Sequence, residues 1–213
     1  MVVGVSQGLP AVAISSSPPF WIRSFAVEDV EQVHKIFVEG MMAYPEHAPS
    51  APLGQFVANY ISSAIADDLN PAAGMPATFM EGSSHFWCAV DQRKDSSTHG
   101  AIVGIVGVQA LDADPHKTWP GPVMELRRMS VTAGARGLGI ASALVKTLED
   151  HARAHGIARV VLDTGTVMTG ARRLYERCGY VQDRIELFDG AQLKYDGASA
   201  AHNLGYVVFS KLL

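Results

Sequence analysis

The chain has 213 residues, 48% of them hydrophobic, which suits one generous domain or two very small ones with a buried core. Its formal net charge is -4, from 17 basic and 21 acidic residues, and this argues against general nucleic-acid binding, which needs a basic excess. The two cysteines, Cys88 and Cys178, form neither a disulfide framework nor a zinc spacing, so a reducing, cytoplasmic setting is the default.

Met1 to Pro19 is apolar, rich in Ser, Gly and Pro, and lacks a basic start, which predicts a flexible N-terminal arm (residues 1–19) ahead of a single domain over 20–213. No stretch reaches the roughly 18 apolar residues that span a bilayer, so no membrane partner is expected. Phe20 to Phe25 alternates as a strand. Val30, Val33, Phe37 and Met41 recur at helical spacing over 27–42, and a second helix follows over 53–69. Asn70 to Gly82 reads as a Pro/Gly loop. His85 to Asp91 and Ala101 to Leu111 form an antiparallel hairpin, and a turn-rich insert leads to a strand over Val123 to Val131. A long amphipathic helix runs from about Gly137 to His155, with Gly156 as its left-handed stop. A short strand over 159–163, a helix over 169–178, a strand from Tyr180, a loopy connection over 189–202 and a last strand over 206–213 complete the chain. The class is α/β (α+β): a mixed, mostly antiparallel sheet flanked by helices.

The turn between the Val123–Val131 strand and the long helix stands out. From Leu126 to Leu148 there is no acidic residue, while Arg127, Arg128, Arg136 and Lys146 all fall there. A helix N-terminus exposes unpaired N–H groups and suits a pyrophosphate, and Gly137 and Gly139 let the backbone approach one closely. By itself the turn is weakly specific. Ser142 stands where the dinucleotide fingerprint needs its third glycine, and no P-loop is present.

The residues around this turn resemble the GNAT acetyltransferase superfamily. Its Arg/Gln-x-x-Gly-x-Gly/Ala signature is matched by Arg136-x-x-Gly139-x-Ala141. A later helix carries Ala171-x-x-Leu174-Tyr175-x-x-x-Gly179-Tyr180, with a strand in between. The stretches His85–Val90, Ile102–Gly104 and Val161–Thr166 are similar to the camello-like branch, which includes cysteine-conjugate N-acetyltransferases, but without that branch's membrane segment. The likeness is firm from about His85 to Tyr180. It implies a GNAT-like domain using acetyl-CoA as cosubstrate, with Met129, Ser130 and Val131 presenting main chain to the pantetheine arm. Arg136, Gly137, Leu138, Gly139, Ile140 and Ala141 would hold the pyrophosphate. It also implies a splay between the Val123–Val131 strand and the one at Arg159. Met168 replaces an Asn that contacts the cofactor in many relatives. The acceptor that the resemblance implies is a primary amine on a small molecule, peptide or protein, and a homodimer is one option for assembly. A non-catalytic acyl-CoA-binding module is the alternative.

Acetyl transfer to an amine needs a proton acceptor, a polarised carbonyl and a protonated leaving thiolate. Glu125 is the candidate base. Regular alternation puts 125, 127, 129 and 131 on one face, and Glu125 then shares the face of Val131, about 20 Å along the strand. Relatives of the histone type carry a catalytic Glu at the corresponding place. Tyr175 is the candidate acid for the thiolate, a role the resemblance implies. His116 could reach a substrate pocket, although a solvated loop histidine is the plainer reading, and Trp119 could wall it. No metal is expected: His151 and His155 are spaced i,i+4, but no third ligand is evident. Cys178 lies on an apolar helix face with no histidine at readable spacing, which argues against a nucleophile.

Overall fold

A computed structural model of the chain describes residues 18–51, 53–188 and 204–213. The expected arm through residue 17 and the connection expected over 189–202 lie outside the described residues. Seven strands form one sheet, in the order β1-β2-β3-β4-β5-β7-β6. They are β1 (Phe20–Ser24), β2 (His85–Asp91), β3 (Ile102–Leu111), β4 (Val123–Val131), β5 (Arg159–Gly165), β6 (Val181–Leu187) and β7 (Gly205–Leu212). All neighbours pair antiparallel except β4 and β5, which run parallel. The expected mixed, mostly antiparallel sheet is therefore the one observed.

Helices cover both faces. α1 (Val30–Met41), α2 (Gly54–Ala66) and α3 (Gly74–Phe79) lie on one side, where Val33, Ile36, Phe37, Met75 and Phe79 pack on Phe86, Cys88 and Ile105. α4 (Ile140–Ala154) and α5 (Thr169–Arg177) contribute to the other core. There Leu144, Val145, Leu148, Leu174 and Tyr175 meet Val106, Met124, Leu126, Leu162 and Phe209. Strand faces alternate between these two cores, which is why β2 and β3 are apolar on both sides.

α3 replaces the loop expected over 70–82. Its Pro76 sits in the first turn, where a missing N–H costs nothing, and Met75 and Phe79, one turn apart, are both fully buried. The Phe79 ring occupies space that a side chain at position 107 would need: a Cβ on Gly107 would come within 2.6 Å of it. That contact is long-range in sequence, so periodicity within 70–82 could not reveal the helix.

Candidate active site

β4 is the strand on which the site is built, and it is irregular. The Cα partners run Leu111↔Val123 through Gly107↔Arg127, then resume at Ile105↔Ser130 and Gly104↔Val131, so β4 carries one extra residue. The bulge falls at Arg128, whose φ of 56° lies in the left-handed region. Opposed residues share a face, so Val123, Glu125, Arg127 and Ser130 point toward α1 and α2. Met124, Leu126 and Val131 point toward α4. The expectation that Glu125 and Val131 share a face is thus incorrect: the inserted residue reverses the alternation between them. Regular alternation would have driven Arg128 beneath α4 among Met124 and Leu126. The bulge instead sends its guanidinium to the Asp68 carboxylate, at 2.9–3.1 Å, and to the Tyr60 hydroxyl. It also lies 5.2 Å from the Phe37 ring centroid and 5.1 Å from that of Tyr60. Ser130 donates to the Ile36 carbonyl at 3.0 Å, tying the strand past the bulge to α1.

β4 and β5 pair only at Met124↔Val160 and Glu125↔Val161. Beyond Glu125 they separate, β4 toward Val131 and β5 toward Gly165, and a wedge-shaped slot opens in the sheet, as the resemblance implied. Met129, Ser130 and Val131 line its β4 side, and β4's edge there lacks a β5 partner.

At the apex of the slot three side chains from three elements meet. His116 Nε2, from the loop joining β3 to β4, lies 3.6 Å from Glu125 Oε1 and 3.9 Å from Asp163 Oδ2. The loop is held by Asp114, whose carboxylate accepts from the N–H groups of His116 (2.8 Å), Thr118 (2.7 Å) and Trp119 (2.9 Å) and from the Thr118 hydroxyl. His116 is therefore a buried, fixed residue, not the solvated loop histidine that its surroundings in sequence suggest. Burial opposes its charged form, but Glu125, Asp163 and Asp114 outweigh that and raise its pKa. Asp163 sits on the floor of the opening. Its side chain is 48% accessible, yet protein crowds it, and the loss of bulk water raises its pKa. The sequence places Asp163 in a strand and in the Val161–Thr166 stretch similar to the camello-like branch, with no role in the transfer chemistry. Its partners are a loop residue and a β4 residue, so no spacing within the chain marks it. Arg127 flanks the group, 3.9 Å from Glu125 Oε2, and is held by Gln109 (2.7 Å) and Asp68 (3.1 Å). Arg127 also lines a cavity of about 600 Å³ with Tyr60, Asp68, Thr78 and Arg128.

The glycine turn lies at the slot's other end. Gly137 and Gly139 both have φ of 81°, and a Cβ at either would meet nothing within 4 Å. The glycines serve backbone conformation and leave open space above the turn. α4 starts at Ile140, later than expected, because Gly139 in the left-handed region caps it. The first helical bond runs from the Ala143 N–H to the Gly139 carbonyl (3.0 Å), so the preceding N–H groups have no helical acceptor. Arg136 is exposed beside them, its Nε 3.4 Å from the Val131 carbonyl. Leu138 and Ala141 rest on the α4-side core, and Ile140 is buried in it.

Tyr175 on α5 is buried, its ring 5.8 Å from Tyr180 and 6.0 Å from Phe209. Burial, with the charge of Asp163, pushes its phenol well above the usual tyrosine range. It is protonated at neutral pH. Partial burial likewise raises the thiol of half-buried Cys178, which argues against a thiolate nucleophile. His151 Nε2 pairs with the Ser83 carbonyl and His155 Nδ1 with the His151 carbonyl, each at 2.8 Å. Trp119 stacks under Arg159, 4.4 Å from ring centroid to guanidinium.

A splayed β4–β5 pair, a glycine turn capping the following helix, and a buried tyrosine on the next helix define an acyltransferase fold of the GNAT type. The sequence model of the acetyltransferase (GNAT) family matches residues 57–180, and the chain belongs to that family. It is 30% identical to N-acetyltransferase 8 of Rattus norvegicus, over 76% of this chain and 86% of that one. It is 35% identical to N-acetylaspartate synthetase of Danio rerio, over 58% of this chain and 38% of the relative. With the probable N-acetyltransferase camello of Xenopus tropicalis the identity is 32%, over 58% and 50%. The matched region thus spans half or less of the last two relatives. A GNAT-family acetyltransferase from Staphylococcus aureus Mu50 shares the fold, with a TM-score of 0.59 over 91% of this chain and 99% of that one at 17% identity. So does Arabidopsis thaliana NAA60, crystallised with a bisubstrate analogue, with a TM-score of 0.56 over 91% and 97% at 17% identity. Among the described residues no helix is long and apolar enough to cross a membrane.

Proposed function

We propose that the protein transfers an acetyl group from acetyl-CoA to a primary amine by direct attack in a ternary complex. The observation that carries this reading is the slot that begins at Glu125, with a carboxylate cluster at its apex and the glycine turn at its far end. Open space over Gly137 and Gly139, N–H groups without helical acceptors and the exposed Arg136 fit a pyrophosphate. The unpaired β4 edge at Met129, Ser130 and Val131 fits an amide-bearing pantetheine arm.

In this reading the amine approaches from the α1–α2 side of the sheet, the face that carries Glu125. Glu125 takes a proton from the ammonium, directly or through water, and the freed nitrogen attacks the thioester carbonyl carbon. A main-chain N–H of β4 stabilises the oxyanion. The C–S bond then breaks, the Tyr175 phenol, kept protonated by burial, gives its proton to the leaving thiolate, and the second proton shed by the attacking nitrogen restores the phenol through water. Both carboxylates of the cluster favour a cationic acceptor at the apex.

The test is mass spectrometry of an amine panel incubated with acetyl-CoA and protein. Acetylated product is expected, and Tyr175→Phe should lower turnover more than CoA affinity. CoA-dependent thermal stabilisation with no product from any amine would instead support a non-catalytic acyl-CoA-binding module.

A further inference from the structure

We propose that His116, Glu125 and Asp163 form a binding site for one divalent transition-metal ion of the zinc class, and that an ion bound there takes the place of the acceptor amine. The first part stands on the geometry of the three residues. The second rests on the proposed role of Glu125.

One imidazole nitrogen and two carboxylate oxygens from these residues lie within 4.8 Å of one another. His116 is 9% exposed, and its Nε2 has no hydrogen-bond partner. A buried ring nitrogen left unbonded is costly, and this one is aimed at two carboxylates. Zinc bonds of about 2.0–2.2 Å place tetrahedral ligands roughly 3.3–3.5 Å apart. The His116 separations of 3.6 and 3.9 Å need only a slight contraction to meet that, while the two carboxylate oxygens, within 4.8 Å of each other, close by up to about 1.3 Å through side-chain rotation. Two carboxylate charges would balance a divalent ion. The accessible side of Asp163 supplies an entry path and leaves a fourth position for water, as in open zinc sites.

The donor set decides the class of ion. Calcium takes six to eight oxygens and magnesium keeps most of its waters, whereas an imidazole with carboxylates suits zinc, cobalt or nickel. The nearest opposing charge is Arg127, 3.9 Å from the other Glu125 oxygen, and it is already engaged by Asp68 and Gln109. The ligands are also held in place before an ion arrives. Asp114 fixes the His116 loop, and Glu125 is in the last β4–β5 pair.

Cobalt(II) is the probe, because its visible absorption reports coordination without any assay of turnover. Metal-free protein titrated with Co²⁺ should develop a d–d band that saturates at one equivalent and is displaced by Zn²⁺. His116→Ala and Asp163→Asn should lose the band while keeping CoA-dependent thermal stabilisation, which shows that they fold. His151→Ala should keep it. No band in the unaltered protein, or a band that survives in folded His116→Ala, overturns the site. If the protein acetylates amines, Zn²⁺ should inhibit competitively against amine but not against acetyl-CoA, and a chelator should reverse it. Stoichiometric Co²⁺ binding with no effect of Zn²⁺ on an active enzyme overturns the second part and leaves the site standing. Binding by a protein that acetylates nothing overturns the catalytic reading alone.

Discussion

His116 Nε2 faces Glu125 Oε1 at 3.6 Å across the connection that joins β3 to β4. A side chain from an irregular loop is thus brought to a β4 carboxylate at the point where the sheet opens. If Glu125 is the proton acceptor, Glu125→Gln should lower turnover by about 10²–10⁴-fold, the usual contribution of general acid–base catalysis. CoA-dependent thermal stabilisation should be unchanged. Steady-state kinetics beside a melting assay decide it, and turnover within a few-fold of the unaltered protein would remove Glu125 from the mechanism.

The glycine turn is testable through the cofactor alone. Arg136→Glu combined with Gly139→Glu puts negative charge at the helix start and fills the open space above it. The backbone cost of a non-glycine at φ 81° is about 1–2 kcal/mol, with no clash added, so the variant should fold. CoA should no longer raise its melting temperature. Retained stabilisation would show that the pyrophosphate binds elsewhere.

Arg128 sets two effects against each other. Its positive φ favours glycine by about 1–2 kcal/mol, while its guanidinium is paired with the buried Asp68. Breaking a buried pair costs about 3–5 kcal/mol, and Arg127, still 3.1 Å from Asp68, keeps the loss near the lower end. Arg128→Gly should therefore destabilise by roughly 1–2 kcal/mol and Arg128→Gln by about 3 kcal/mol. Adding Asp68→Asn to either should cost less than the sum of the single changes. Urea unfolding measures all of these, and a stabilised Arg128→Gly would mean that the ion pair contributes little.

Asp91, buried at the β2–β3 turn, accepts from Arg93, Ser96 and Thr98. The Arg93 guanidinium first, with the hydroxyls, holds its carboxyl well below the usual range, against the cost of burial. A carboxyl with a depressed folded-state pKa stabilises fully above its unfolded value of about 4, and that contribution is lost as pH falls below it. Asp91→Asn should then cost about 1–3 kcal/mol at pH 7 and progressively less at pH 3. A gap that stays constant between those pH values would contradict the linkage.

Much of this was legible in the chain because local pattern carried it. β2 and β4 fall where alternation and β-branched residues place them, and the long helix shows its apolar stripe. The glycine turn and the Leu174-Tyr175 helix stand in the order that marks the family. What escaped depended on contacts distant in sequence. α3 is stabilised by Phe79 packing over Gly107 and Phe86, which nothing within residues 70–82 announces. Asp163 joins His116 only once β5 lies beside β4. The bulge left one physical hint: two adjacent arginines in a strand that has an apolar core on one face. Regular alternation would bury one of them there, so some break in the register was required.

That break makes β4 a strand with two independent ends. Before Arg128, Glu125 and Arg127 face α1 and α2, and after it Val131 faces α4. A substitution at 127 should leave the Val131 end undisturbed, because Arg127 does not share a face with Val131. A single-residue deletion at 128 would leave those faces unchanged. It would restore regular pleating with Glu125 still toward α1 and α2 and Val131 still toward α4, and it would remove the Arg128 contacts with Asp68 and Tyr60.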